Sequence, residues 1–272
     1  MKPINFLGRP CVIICQNQNG PCPLLAIANI LLLQDKISIS SDISIISLAE
    51  LTQIVANAIL EKIGQSSLPE HVKLVESVLN ILPKLARGLD LNVIFSGVNK
   101  FEFTEEISVF DALGIQLLHG WICDPNDIPA SALIGNLSYN HLIFRLVEYK
   151  SLSLERKEVE AGDNTAGLSI GVESEEPDSK SAKVEPKKDI HELRREGALI
   201  EKFLADTAGQ FTYPGMLALY STMQDRQFAV FFRNNHFSTM YFYNGQLFTL
   251  ITDLGYLHEP SVVWELLDHI DG

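Results

Sequence analysis

Apolar residues run almost unbroken from Pro23 to Leu33, with Asn29 the one polar residue among them, and the pattern predicts a helix buried on every side. Farther along, SLAELTQIVANAILEKI repeats apolar residues at helical spacing, which places a helix over 43–63, and a similar pattern places another over 72–85. Strands are expected near Asn92 to Phe95 and in the segment ending His119-Gly120-Trp121. Leu193 to Ala208 and Met216 to Met223 read as helices, and Phe228 to Leu250 as paired strands. Helices come first and strands late, so the expected fold is α+β, with the Pro23–Leu33 helix packed on an antiparallel sheet.

One stretch breaks this pattern. Between Lys150 and Lys202 there is no Phe, Tyr or Trp, and Glu, Lys, Ser, Gly and Pro dominate, as in a chain unable to bury a core. Residues 151–189 are expected to form a flexible insertion within a single domain spanning 1–272. With 272 residues and 46% hydrophobic content, the chain suffices for one sizeable core.

Charge narrows the partners. A formal net charge of −13 leaves no basic stripe for phosphate, so nucleic acid is not expected, whereas a basic protein or peptide is accommodated. The longest apolar run is too short to span a bilayer and the N-terminus shows no signal peptide, so no membrane association is expected, and the cytosol or nucleus is the expected compartment. Four cysteines, three within twelve residues, suit a reducing compartment. Cys11, Cys15 and Cys22 lack the compact Cys/His clustering of a metal site.

The chemistry gathers around QNQNGPCPLLAIAN, residues 16–29. Cys22 lies between two prolines at the start of the buried helix, where unpaired N–H groups and the helix dipole stabilise an anion; such placement can bring a thiol pKa from about 8.5 to roughly 3.5–7.5. Gln16, six residues earlier, carries an amide that could join the Cys22 N–H in holding an oxyanion, with Asn19-Gly20 turning the chain between them. Cys11 and Cys15, in the strand-like CVIIC, read as structural.

A thiol nucleophile needs a base. Of seven histidines, His236 is the best placed, because the polar RNNH run interrupts an apolar strand; His141 and His258 follow. Asn244-Gly245 is a hairpin signal. A three-residue loop of Tyr243, Asn244 and Gly245 pairs Phe242 with Gln246 and sets His236 opposite Thr252. A two-residue loop sets His236 opposite Asp253. The first register gives the better cross-strand pairs and is preferred, and in either case a side chain able to orient the imidazole lies beside it.

These segments, QNQNGPCPLLAIANILLL, FFRNNHFSTM, ITDLGYL, HGWICDP and GNLSYN, together resemble the MINDY family of deubiquitinases from about Pro10 to the C-terminal VVWELLDHIDG. The resemblance implies a papain-like cysteine peptidase fold that hydrolyses isopeptide bonds in polyubiquitin, with a family preference for lysine-48 linkages. By match of motif, Cys22 is the nucleophile, His236 the general base and Gln16 the oxyanion donor. Thr252 takes the third position, where papain-like enzymes commonly carry Asn or Asp. The same resemblance points to Asp90, Leu91, Trp121, Tyr139 and Phe232 as ubiquitin contacts. It implies polyubiquitin and ubiquitinated proteins as partners, a monomer, and no cofactor.

Overall fold

The computed structural model describes residues 1–16, 20–40, 42–64, 80–162 and 190–271. Strand β1 (Lys2–Phe6) alternates buried and exposed positions and folds back on β2 (Arg9–Ile13) through Leu7 and Gly8, both with positive φ. This antiparallel hairpin runs from Lys2 opposite Ile13 to Phe6 opposite Arg9.

Helix α1 (Cys22–Leu33) follows, and every residue from Pro23 to Leu33 is buried. Its single polar side chain, Asn29, is spent on the chain before the helix: Oδ1 accepts from the Ile14 N–H at 2.8 Å and Nδ2 donates to the Ile14 carbonyl at 3.0 Å. Helix α2 (Leu48–Gly64) starts five residues later than the apolar spacing suggests. A capping box decides the start: the Glu50 carboxylate accepts from the Ser47 N–H while Ser47 Oγ accepts from the Glu50 N–H. Of the helix expected over 72–85, residues 80–85 are helical and 72–79 lie outside the described residues.

The strand expected at Asn92 to Phe95 is corrected to two isolated bridges, Val93 with Phe101 and Ile94 with Ser138. The chain turns at once, the Lys100 N–H donating to the Gly97 carbonyl, so no ladder can extend. Next come α3 (Ser108–Leu113), β3 (Gln116–His119), α4 (Ile128–Ile134) and α5 (Tyr139–Gly162). The last of these corrects the boundary of the expected insertion. Residues 151–162 are helical, because SLSLERKEVEAG is rich in Leu, Glu, Lys and Arg, all strong helix formers. Residues 163–189 lie outside the described residues.

The remainder is α6 (Ile190–Asp206), α7 (Tyr213–Thr222), β4 (Phe228–Arg233), β5 (His236–Tyr243), β6 (Gln246–Leu250) and β7 (Trp264–Leu266). The fold is α+β, with a five-stranded sheet in the order β3-β4-β5-β6-β7. The sheet is mixed rather than antiparallel, since β3 runs parallel to β4. The long connection from β3 to β4, which carries four helices among the described residues, permits that pairing.

Alternate residues of β4 enter two cores. Phe228, Val230 and Phe232 join α1, α2 and the hairpin on one face of the sheet. Ala229 and Phe231 join Leu118, Phe211 and Leu219 on the other. Helix α1 lies against β5, where Thr239 Oγ1 donates to the Ala26 carbonyl at 3.0 Å in the buried interface. The first residue of α1 and the first residue of β5 are Cys22 and His236.

Candidate active site

Four separated segments meet at one open cleft of about 680 Å³, whose walls include Gln16, Cys22, His236 and Thr252. Arg87, Gly88, Asn234 and Asn235 complete much of the lining and were not named as site residues from sequence, whereas Asp253, also in the wall, was the alternative partner expected for His236. The RNNH interruption did mark Asn234 and Asn235, and an Arg-Gly pair ending a helical turn was the only signal for Arg87 and Gly88.

Gln16 is gripped by its backbone. Its N–H donates to the Thr252 carbonyl at 2.8 Å, and its carbonyl accepts from the Leu254 N–H at 3.2 Å, making a parallel bridge with Asp253. The side-chain Oε1 is buried and has no hydrogen-bond partner among the described residues. A Cβ at position 20 would lie 2.6 Å from that oxygen, so a larger residue there would displace the amide.

Cys22 is half-buried at the start of α1. Its N–H donates to the Gly20 carbonyl at 2.8 Å across Pro21, which has φ −75° and ψ 64°, the geometry of an inverse γ-turn. One of the two expected oxyanion donors is thus engaged within the chain. Burial pushes the thiol pKa up, against the lowering effect of the N–H groups of Phe237 and Cys22 itself. The expectation of a thiol acidified by the helix terminus is therefore corrected: in this geometry desolvation outweighs the donors.

His236 follows a two-residue turn, Asn234-Asn235, in which both residues have positive φ, and it pairs with Arg233 across that turn. Desolvation by the cleft walls lowers its pKa, which favours the neutral base. Among the described residues no hydrogen bond reaches the imidazole from Thr252 or Asp253.

The hairpin explains why. Tyr243 pairs with Gln246, so the loop is the two residues Asn244 and Gly245, with φ of 50° and 75°. The preferred three-residue loop is corrected, because positive φ at both positions matches a type I′ turn and the twist of the flanking strands. The ladder then stops at Met240 with Thr249, and the following chain leaves β5. Ile251 turns to Val263, Thr252 and Asp253 turn to Gln16, and the Asp253 carboxylate accepts from the Gly255 N–H at 2.6 Å. Thr252 and His236 therefore share a cleft without being cross-strand neighbours.

The residues expected to touch a partner divide. Asp90 is exposed, Leu91 half-buried and Tyr139 37% exposed, with the Tyr139 N–H donating to the carbonyl of Val93, two residues beyond Leu91. Trp121 and Phe232 are only 5% and 3% exposed, which corrects the expectation that they form an open contact surface. The Trp121 ring packs edge-on to Phe95 and stacks near Phe203, with Nε1 donating to Thr207 Oγ1 at 2.8 Å. Phe232 packs against Phe237 and Phe101.

The other candidates lie elsewhere. His141 Nδ1 sits 2.8 Å from Ser138 Oγ and 3.1 Å from the Glu102 carboxylate. Burial raises the pKa of Cys11 and Cys15, and Cys123, with Asp127 and Asp124 adding to burial, is pushed up to about 11. Among the described residues no group of three His, Cys, Asp or Glu could hold a metal ion, and no helix is long and apolar enough to cross a membrane.

Known proteins share this chain throughout. The family model for MINDY deubiquitinases matches residues 1–272. The MINDY-1 proteins of Bos taurus and Homo sapiens, named ubiquitin carboxyl-terminal hydrolases, are each 39% identical over 277 residues, covering 100% of this chain and 51% of theirs. MINDY-2 of Mus musculus is 39% identical over 264 residues, covering 96% of this chain and 38% of its own. The chain thus spans about half the length, or less, of the curated relatives it matches. Matched along its whole length by the family model, and carrying the Gln16, Cys22 and His236 segments at one cleft, the chain belongs to the MINDY deubiquitinase family.

Proposed function

We propose that this protein is a cysteine-dependent deubiquitinase that hydrolyses isopeptide bonds in polyubiquitin, preferring lysine-48-linked chains, through a papain-like thiol mechanism. The observation that carries the reading is the convergence of Gln16, Cys22, His236 and Thr252 on one cleft, from positions spread over more than two hundred residues. The names of the relatives support ubiquitin as the substrate class.

In this reading His236 takes the Cys22 proton, and the sulfur attacks the carbonyl carbon of the ubiquitin C-terminal glycine. The carbonyl oxygen becomes an oxyanion that the Gln16 amide and the Cys22 N–H stabilise. The latter donor must first leave the Gly20 carbonyl, so substrate binding is coupled to rotation of the Gly20-Pro21 turn. His236 returns its proton to the departing lysine nitrogen as the C–N bond breaks. Water, deprotonated by His236, then attacks the thioester, and the thiol is regenerated. Thr252, in the same wall as Asp253, restricts the imidazole. Asp90, Leu91 and Tyr139 form the adjoining ubiquitin-binding surface, the acidic Asp90 suiting the basic tail of ubiquitin.

Cleavage of ubiquitin chains of each defined linkage, resolved on gels for the wild type and for Cys22→Ala, tests the reading. Loss of chains with the wild type alone, fastest for lysine-48 linkages, is the expected result. Binding of ubiquitin by both proteins without cleavage by either overturns it in favour of a ubiquitin-binding module.

A further inference from the structure

The N-terminal hairpin contains a residue that its own pattern does not explain. Lys2 occupies the inward face of β1 with Ile4 and Phe6, a position calling for an apolar side chain, and is 1% exposed. Its ammonium donates to two backbone carbonyls, Tyr256 at 2.8 Å and Val262 at 2.5 Å. A lysine is almost never fully buried unless it is paired, so this one stands where something is gained by its donors.

Both acceptors belong to a single loop. Its base is closed where the Ile251 N–H donates to the Val263 carbonyl at 2.9 Å. Its first residues are Thr252, whose carbonyl accepts from the Gln16 N–H, and Asp253, which caps the short 3-10 turn Leu254–Tyr256. Leu254 then donates back to Gln16. The loop therefore touches the ammonium at Tyr256 and Val262, and touches Gln16 at Thr252 and Leu254. Gln16 itself ends the strand-like segment that leaves the hairpin bearing Lys2, so hairpin, loop and Gln16 form a closed mechanical circuit.

We propose that Lys2 is a positioning residue, its buried ammonium fixing loop 252–262 and through that loop the Gln16 amide in the cleft. The inference rests on the reading of Gln16 as oxyanion donor. Without the ammonium, the Val262 carbonyl loses its donor and the Tyr256 carbonyl keeps only the Glu259 N–H, the loop moves toward water to satisfy them, and the backbone clamp on Gln16 moves with it. A displacement of about 1 Å at a catalytic donor can cost about a hundredfold in rate, so a residue remote from the reacting atoms can govern turnover.

The test compares wild type, Lys2→Met, Lys2→Gln, Gln16→Ala and the Lys2→Met/Gln16→Ala pair in steady-state cleavage of lysine-48-linked diubiquitin, with amide hydrogen exchange measured on each. Methionine keeps the buried stem and removes the donors. Lys2→Met is expected to lower kcat by about tenfold to a hundredfold with KM within about twofold. The double variant is expected to be no slower than Gln16→Ala, because a donor already absent cannot be misplaced. Exchange at the Gln16 and Leu254 amides rises, while the amides of α1 keep their protection. Lys2→Gln, with a polar group on a shorter stem, gives a smaller loss in the same direction, and stands as the test should the Met protein not fold.

Wild-type kcat and unchanged Gln16 exchange in either Lys2 variant overturn the proposal. So do losses that multiply in the double variant, or exchange that rises across α1 as in general destabilisation. If Gln16→Ala itself turns over like wild type, the oxyanion reading has failed and takes the catalytic role of Lys2 with it. A slow Gln16→Ala beside an unaffected Lys2→Met removes the Lys2 role alone.

Discussion

The Gln16 side chain carries no load in the fold: its backbone makes the hydrogen bonds to the loop, and its Oε1 makes none among the described residues. Such a residue can be changed without unfolding the molecule. Gln16→Ala is expected to lower kcat by about 10²–10³ while the thermal unfolding midpoint stays near wild type. The pair beside it sets a pH dependence. Burial raises the Cys22 thiol above its ordinary value of 9.0 and lowers His236 below 6.5, so at neutral pH both are uncharged and the imidazole can accept the proton. The base works only when neutral, so kcat/KM is expected to hold as pH falls to 6.5 and to decline only below it; a decline centred above 6.5 would contradict the site as described. Sequence revealed the residue types here and missed their state. A cysteine at a helix start promises acidification, but whether its N–H is free depends on the ψ of Pro21, which no spacing rule specifies.

At the scale of elements, α1 joins the two halves of the site, packing on β5 while Asn29 holds Ile14, two residues before Gln16. Replacing Asn29 by Leu would suit the helix and strand a buried N–H and a buried carbonyl at Ile14. The expected cost is about 2–4 kcal/mol, read from urea unfolding. The long helices and the late hairpins were legible because their apolar period is unambiguous, and Asn244-Gly245 was legible as a turn. Its loop length was not, and neither was the end of the ladder at Met240 with Thr249, which leaves His236 without a cross-strand partner on β6. Cross-strand pairing preferences favoured one register by a few tenths of a kcal/mol, whereas the left-handed backbone of both loop residues favoured the other. Trp121 and Phe232 erred in the same way. An aromatic in an alternating strand has two faces to choose from, and only the packing of Phe95, Phe203 and Phe237 shows which is taken.

For the whole molecule, stability is tied to pH through His119 at the end of β3. It is buried, its Nδ1 accepts from the Trp121 N–H at 3.1 Å, and its Nε2 lies 3.1 Å from the Lys100 carbonyl, an arrangement that suits the neutral ring. Burial lowers its pKa from 6.5 to about 4. Between those values the unfolded chain binds a proton that the folded chain refuses. The contribution of His119 is therefore complete above pH 6.5 and is lost as pH falls toward 4, up to about 3 kcal/mol. Urea unfolding between pH 7 and 4 is expected to show that loss in the wild type and a flatter profile in His119→Gln. The mixed sheet was beyond sequence reasoning for a related cause: β3 and β4 lie more than a hundred residues apart in the chain, and nothing local announces their parallel pairing. The same separation has a consequence for how the protein is made. Helix α1 is greasy on every side, whereas the β5 surface that covers it is translated roughly 200 residues later. At about 5–20 residues per second that is a wait of roughly 10–40 s, during which the segment carrying Cys22 is an exposed ligand for chaperones and its thiol is parted from His236.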